Sequence, residues 1–229
     1  LFVTAHQNPD EETRALEIGG VDFITKPINP AVVRARVRTH LTLKRQTDTF
    51  KRLVFIDRLT GTFNRRYFDT QLTSEFARAA RSRSSLGLIL VDVDHFKLFN
   101  DHYGHQAGDD CLRAVARALR HTLWRPGDAV ARYGGEEFAC ILPDTDLEGA
   151  LMVAQRMTDA VHALGLAHET STTDQVVTIS AGVAVLSPGP GGTPSELVAL
   201  ADEQLYKAKA GGRAQVCGLQ GPAPATLKA

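Results

Sequence analysis

Residues 129–142 constrain the fold of this chain more than any other stretch. Two apolar runs flank Gly134-Gly135. The pattern predicts an antiparallel hairpin whose glycines form a two-residue turn at positive φ. The hairpin sits in an ordered series. Before it, 66–82 reads as a helix, 86–93 as a strongly apolar strand, and 105–123 as a helix with Leu112, Val115, Ala116 and Leu119 on one face. After it come a helix over 147–164, a strand over 176–186, and a helix that starts at Thr193-Pro194 and stops at Gly211-Gly212. The order from Leu86 predicts an α+β, ferredoxin-like layout, with a mostly antiparallel central sheet and helices on one face. From Gly218 the chain is rich in Pro and Ala and reads as a frayed tail over 218–229.

The first 40 residues follow a different order: strand, helix, strand, helix. Asn8-Pro9 opens the first helix and Gly19-Gly20 ends it. Asn29-Pro30 opens the second, with Asn29 as cap. No Gly or Pro interrupts residues 33–57, and Val33, Val37, Leu41, Phe50 and Val54 recur at near-helical spacing. The stripe suits either a helix packed on its own domain or a linker, over 41–57, that pairs with its copy in a dimer. The chain opens inside an apolar run at Leu1 rather than at Met, and is expected to be part of a longer protein.

Of the 229 residues, 43% are apolar and 23% charged, enough for a sizeable core and too few charges for wholesale disorder. The formal net charge is zero, which excludes a broad electrostatic footprint for nucleic acid. Cys111, Cys140 and Cys217 are isolated and suit a reducing, cytoplasmic setting. No apolar run is long enough to span a membrane, and no signal segment is present.

Chemistry concentrates at two places. Asp92 and Asp94 end the apolar strand, and residues two apart in a strand face one side, so the two carboxylates are expected to point together. On its own, an Asp-x-Asp reads more readily as a strand end facing water. The hairpin adds Glu136 and Glu137, which the turn does not need. Neighbouring strand residues face opposite sides, so one glutamate can join Asp92 at a divalent cation while the other meets a different group. Carboxylates on two adjacent strands are the arrangement of a nucleotidyl-transfer palm, where a metal activates a hydroxyl and neutralises phosphate charge.

Arg132-Tyr133-Gly134-Gly135-Glu136-Glu137-Phe138 resembles the signature of GGDEF-family diguanylate cyclases in its GGEEF form. The resemblance extends over 57–215. Asp57-Arg58-Leu59-Thr60-Gly61-Thr62-Phe63-Asn64-Arg65-Arg66 resembles the opening motif, with Thr62 where Leu is commoner. Asp92 through Asn100-Asp101, then Gly104-His105 and Gly108-Asp109, resembles the metal and guanine region. Residues 201–209 with Gly212-Arg213 resemble the closing helix. The resemblance implies a nucleotidyl-cyclase palm over 58–217 that joins two GTP into cyclic di-GMP and releases two pyrophosphates, working as a homodimer. It implies magnesium (or manganese) on Asp92, the Val93 carbonyl and Glu136. Asn100 and Asp109 would meet guanine. His95 and Phe96 main chain, Lys97, Lys209 and Arg213 would hold the triphosphate, and Gly134-Gly135 would lie against the nucleotide. Glu137 would assist catalysis. Lys207 reads only as a cation near a helix C-terminus.

Arg125-Pro126-Gly127-Asp128 alone is an ordinary turn. Within this family it resembles an inhibitory product site, which Arg156 would complete from a neighbouring domain. Val3-Thr4-Ala5 and residues 20–28 resemble the second half of a response-regulator receiver over 1–40, with Thr4 and Lys26 as switch residues and an upstream histidine kinase as the implied partner. Three other readings stay open: a GTP- or cyclic di-GMP-binding effector without turnover, an interaction protein built around the receiver piece and helix, and another dinucleotide synthase.

Overall fold

A computed structural model of the chain describes the backbone of residues 2–4, 23–189 and 191–222, and the side chains from residue 26 onward within those spans, apart from 48–53. The chain divides into two compact units, Leu1–Leu53 and Val54–Ala229. In the first, β1 (Phe2–Thr4) and β2 (Phe23–Thr25) pair in parallel. The helix expected after Asn8 lies outside the described residues. The Lys26-Pro27 peptide is cis. α1 (Pro30–Phe55) starts where Asn29 and Pro30 predict, with Asn29 Oδ1 accepting from the Ala31 amide at 2.9 Å. Val37, Leu41 and Leu43 on α1 are exposed.

The second unit contains α2 (Arg65–Ser82), β3 (Leu86–Val93), α3 (Phe96–Tyr103), α4 (His105–Thr122), β4 (Ala129–Arg132), β5 (Glu137–Pro143), α5 (Leu147–His162), β6 (Ile179–Leu186), α6 (Pro194–Ala210) and β7 (Val216–Gln220). The five strands lie in the order β4-β5-β3-β6-β7. All neighbours are antiparallel except β6 and β7. The α+β class and the mostly antiparallel sheet agree with the sequence reading.

Helices cover both faces of the sheet, not one. Ile89, Val91 and Val93 pack with α4 and α5 residues such as Val115, Leu119 and Met157. Leu86, Leu88 and Leu90 point the other way, against Phe68, Phe76, Leu197 and Leu205 of α2 and α6. A strand buried on both faces is a continuous apolar run rather than an alternating one, which is what 86–91 shows. Two elements escaped the sequence reading. α3 is only eight residues long, although Phe96, Phe99 and Tyr103 have helical spacing. β7 continues the sheet through residues 218–220, which were expected to belong to the tail. Its Gly218 is demanded by packing: a Cβ there would come 2.7 Å from Leu151 Cδ2. Among the described residues no helix is long and apolar enough to cross a membrane.

Close approach of α6 to the central sheet depends on Gly182 of β6. A Cβ at this position would overlap the Ala201 carbonyl and the Leu205 backbone, and backbone atoms cannot swing aside. Gly182→Ala is expected to cost about 3 kcal/mol or more of stability. Urea unfolding measures it; an unchanged midpoint would show that α6 packs less tightly than this.

Candidate active site

The register of β3 with β5 builds the site. Val91 pairs with Phe138 and Asp92 with Glu137, and the Val93 amide donates to the Glu136 carbonyl at 3.4 Å. The two glutamates therefore straddle the end of the central strand. Glu137 stands opposite Asp92, on the sheet face toward α6. Glu136 lines a cavity of about 510 Å³ on the other side. Both act electrostatically on Asp92, Glu136 more strongly. Burial is the larger influence, and together these raise the Asp92 carboxyl to about 6 despite an opposing ion pair with Lys209, whose Nζ lies 2.7 Å from Oδ2.

Asp94 does not join this cluster. It lies one residue past β3 and is 1% exposed. Its carboxylate accepts from Thr178 Oγ1 at 2.7 Å, Ser180 Oγ at 2.6 Å and the Ala214 amide at 3.1 Å. With its hydrogen bonds satisfied, it ties the end of β3 to β6 and to the segment after α6.

The turn between β4 and β5 also differs from expectation. It comprises four residues, 133–136, and neither Gly134 nor Gly135 has positive φ. The Tyr133 amide donates to the Glu137 carbonyl at 2.8 Å. Arg132 clasps the turn from inside, with Nε and Nη2 donating to the Gly135 carbonyl at 2.9 and 2.8 Å. Its Nη1 lies 3.4 Å from Asp57 Oδ1. Burial works to raise the Asp57 pKa, but hydrogen bonds from Thr60 and the charge of Arg132 outweigh it and hold the carboxyl below its usual value. At Gly134 a Cβ would come 2.6 Å from Glu137 Oε2, so a larger residue there would make that side chain shift. A Cβ at Gly135 would meet only open space. The glycines give room rather than left-handed backbone.

Phe96, Lys97, Asn100, Asp109, Gly135 and Glu136, all expected at the site, line the large cavity. Asn100 Oδ1 is buried there without a hydrogen-bond partner, and a Cβ on Gly108 would overlap it. An orphaned buried acceptor is costly and is relieved by a donor from a ligand. His95 has φ 54°, a left-handed conformation that costs a non-glycine residue roughly 1 kcal/mol or more. It precedes α3, so the first amides of that helix lie free of intrahelical partners. Arg213 is also left-handed, at φ 66°, and its amide donates to the Ala208 carbonyl. Lys207 pairs with Glu203 at 2.7 Å, in keeping with its reading as a helix-end cation. Arg132, Asp101 and His105 line the cavity too and were not picked out. Arg132 was visible as the first residue of the hairpin motif.

A second cavity, about 240 Å³, gathers Arg125, Asp128 and Arg156 within one chain. Arg156 was expected to complete such a site from a neighbouring domain. Here its guanidinium stacks 3.9 Å over the Trp124 ring, and its Nε is buried without a partner. Burial raises the Asp128 carboxyl against the pull of both arginines. The main chain of Thr4 is in β1 and Lys26 is exposed just after β2.

Carboxylates at the end of a palm-like central strand, beside a cavity for a nucleotide-sized ligand, define a nucleotidyl-transfer domain. Residues 54–215 match the family model described as diguanylate cyclase, GGDEF domain, and the chain belongs to that family. It is 41% identical over 232 residues to the response regulator PleD of Caulobacter vibrioides, covering 95% of this chain and 50% of PleD. Diguanylate cyclase DgcP of Pseudomonas aeruginosa is 38% identical over 139 residues, covering 61% of this chain and 20% of DgcP. The chain thus spans half or less of the length of these relatives. Among solved structures, the coiled coil and GGDEF domain of DgcB from Caulobacter crescentus, in complex with c-di-GMP, superposes with a TM-score of 0.71 at 30% identity, covering 82% of this chain and 98% of that one. The active GGEEF domain of a Vibrio cholerae diguanylate cyclase gives 0.60 at 31% identity, covering 69% and 98%.

Because the folded-state pKa of Asp92 lies above its usual 3.8, the folded chain keeps a proton that the unfolded chain has released between about pH 4 and 6. The contribution of this group to stability therefore falls as pH rises through that window. Asp92→Asn should remove that fall, read as urea midpoints at about pH 4.5 and 6.5. An unaltered pH dependence would place the Asp92 carboxyl in water.

Proposed function

We propose that the catalytic unit condenses two GTP into cyclic di-GMP and two pyrophosphates. The observation that carries this reading is the meeting of Asp92, Glu136 and Glu137 at the end of β3, beside a cavity lined by Glu136, Asn100 and Asp109. Asp109 suits the N1–H and exocyclic amine of guanine, which adenine does not present together. The unpartnered Asn100 Oδ1 is an acceptor for a further donor on the base. Lys97 and the free amides at the start of α3 suit the triphosphate, as helix N-termini do for anions, with Lys209 and Arg213 from the last helix and the turn after it. Each 3′-oxygen forms a bond to the α-phosphorus of the other nucleotide. The bond from that phosphorus to the bridging oxygen breaks, and pyrophosphate leaves. Glu137, opposite Asp92, would assist catalysis, by helping to take the 3′-hydroxyl proton or by binding a second metal.

Among the described residues no group of three His, Cys, Asp or Glu side chains forms a metal site. Two carboxylates plus a main-chain carbonyl suit magnesium, which completes its shell with water and phosphate oxygens. The raised pKa of Asp92, with two further acids acting on it, is the signature of a cluster that a cation relieves. Asp92, Glu136 and the Val93 carbonyl would hold magnesium or manganese, which lowers the charge on the phosphates and acidifies the hydroxyl.

Among the described residues the groups suited to the base and phosphates line a single cavity, suited to one GTP, so on this reading two chains face each other. α1 is a plausible pairing element, since an uninterrupted helix carries exposed Val37, Leu41 and Leu43. The similarity to the response regulator PleD covers 95% of this chain, so it takes in most of the first 53 residues, and it supports a receiver piece there, with phosphorylation by a histidine kinase as input. Arg125, Asp128 and Arg156 suit product binding: the arginine forks fit phosphate or a guanine edge, and Asp128 accepts from guanine.

Incubation with GTP and magnesium should yield cyclic di-GMP, and Glu136→Gln should lower kcat by about 10²–10³-fold. Binding of GTP without any product would overturn the catalytic reading in favour of an effector. Preloaded cyclic di-GMP should slow the reaction, and Arg125→Ala should raise the product level reached at steady state. An unchanged progress curve would remove the inhibitory role.

A further inference from the structure

We propose that His168 is a positioning residue for the triphosphate, acting through the main chain of His95; this rests on the GTP reading of the cavity. His95 links β3 to α3 in a left-handed conformation. A non-glycine residue stays there only where its surroundings fix it. Two donors meet on its carbonyl: the Phe99 amide at 3.1 Å, which closes the first turn of α3, and His168 Nε2 at 3.3 Å. His168 is 1% exposed, and burial holds its pKa below the usual histidine value. A neutral ring with its proton on Nε2 fits a carbonyl acceptor. Thr170 Oγ1 lies 3.4 Å from Nδ1, the remaining acceptor.

The segment carrying His168 is stitched along α3. Thr172 and Thr173 hydroxyls each lie 3.1 Å from His95 Nε2. Thr170 Oγ1 lies 3.4 Å from the Leu98 carbonyl as well as from His168 Nδ1, so its single proton serves one of the two, and the Glu169 amide donates to the Tyr103 hydroxyl at 3.0 Å. Phe99 meets the His168 ring edge-on at 5.2 Å. The segment is itself closed, with an Ala167–Val176 bridge and the His168 amide donating to the Gln175 carbonyl at 2.8 Å. It leads straight into β6, whose approach residue Thr178 accepts from the Asp94 amide at 3.0 Å. The turn at 94–95 is thereby held from the sheet and from this segment. The amides of Phe96, Lys97 and Leu98 take their direction from that turn. None of these residues touches the reacting atoms; their effect is to aim the amides that face the phosphates.

The test compares binding of 3′-deoxy-GTP, which cannot cyclise, with binding of 3′-deoxyguanosine, in magnesium, alongside steady-state kinetics with GTP. His168→Leu should weaken 3′-deoxy-GTP about tenfold, as expected for one lost buried hydrogen bond, and leave the nucleoside within about twofold. The GTP KM should rise more than kcat falls. His168→Gln, which keeps a donor, should recover most of the loss. Cyclic di-GMP affinity and the circular dichroism spectrum should not move. Equal weakening of nucleotide and nucleoside, or no change in either, overturns the proposal. Should His168→Leu fail to fold, Thr172→Val with Thr173→Val removes the tether on the His95 ring from exposed or half-buried positions. That pair should shift the same ratio in the same direction, and an unmoved ratio overturns the proposal. A wild-type chain that binds 3′-deoxy-GTP yet makes no cyclic di-GMP refutes the catalytic reading alone, since the binding ratio still decides the role of His168.

Discussion

Antiparallel pairing of β3 with β5 is the constraint on which the rest of the domain depends. β3 is buried on both faces and hydrogen-bonded along both edges, so its register is set by two packed layers at once. A slip of one residue would exchange the faces of every side chain. It would carry Leu88 and Leu90 out of the α2 and α6 layer and would separate Asp92 from Glu137. The same pairing that buries the core therefore places the acids. Asp94 locks the end of the strand from the other side, because its three donors come from β6, the residue just before it and the segment after α6.

Cavity shape depends on what is missing as much as on what is present. Gly108 leaves the space that Asn100 occupies, Gly134 leaves space for Glu137, and Gly135 leaves open space beside the cavity. Arg132 then supplies the rigidity that a glycine pair lacks. Its guanidinium joins the Gly135 carbonyl to Asp57 at the start of the opening motif. A flexible turn is converted into a fixed one by the side chain immediately before it, without a positive φ at either glycine.

Much of this was legible in the sequence, for identifiable reasons. β3 and the hairpin strands are apolar and bounded by charge or glycine, so their periods are clear. The long helices carry caps and stripes, and α1 begins at Pro30 behind its cap Asn29, as the pattern predicts. α3 and β7 were not legible, because an eight-residue helix and a glycine-containing edge strand are stabilised by tertiary contacts rather than by local preference. The faces of the sheet were misread because the ferredoxin-like core series leaves out α2, which precedes β3 and covers the second face with α6. Asp94 was grouped with Asp92 on strand alternation, yet it lies past the strand, where alternation no longer applies. The partners of His168 and Arg156 join segments far apart in sequence, beyond the reach of any local pattern.

A chain with no net charge and 26 basic residues against 26 acidic ones cannot draw a nucleotide triphosphate by its overall field. On the GTP reading, selectivity must come from short-range groups fixed in advance. The features of the cavity are of this kind: a buried acceptor awaiting a donor, helix amides awaiting an anion, and clustered acids awaiting a cation. On that reading each group is matched by one part of the same ligand, the base, the phosphates or their metal. A ligand with only one of these parts leaves the other groups unmatched. On the GTP reading, the packed β3–β5–β6 core is what holds these groups in place for a metal-bound purine nucleotide.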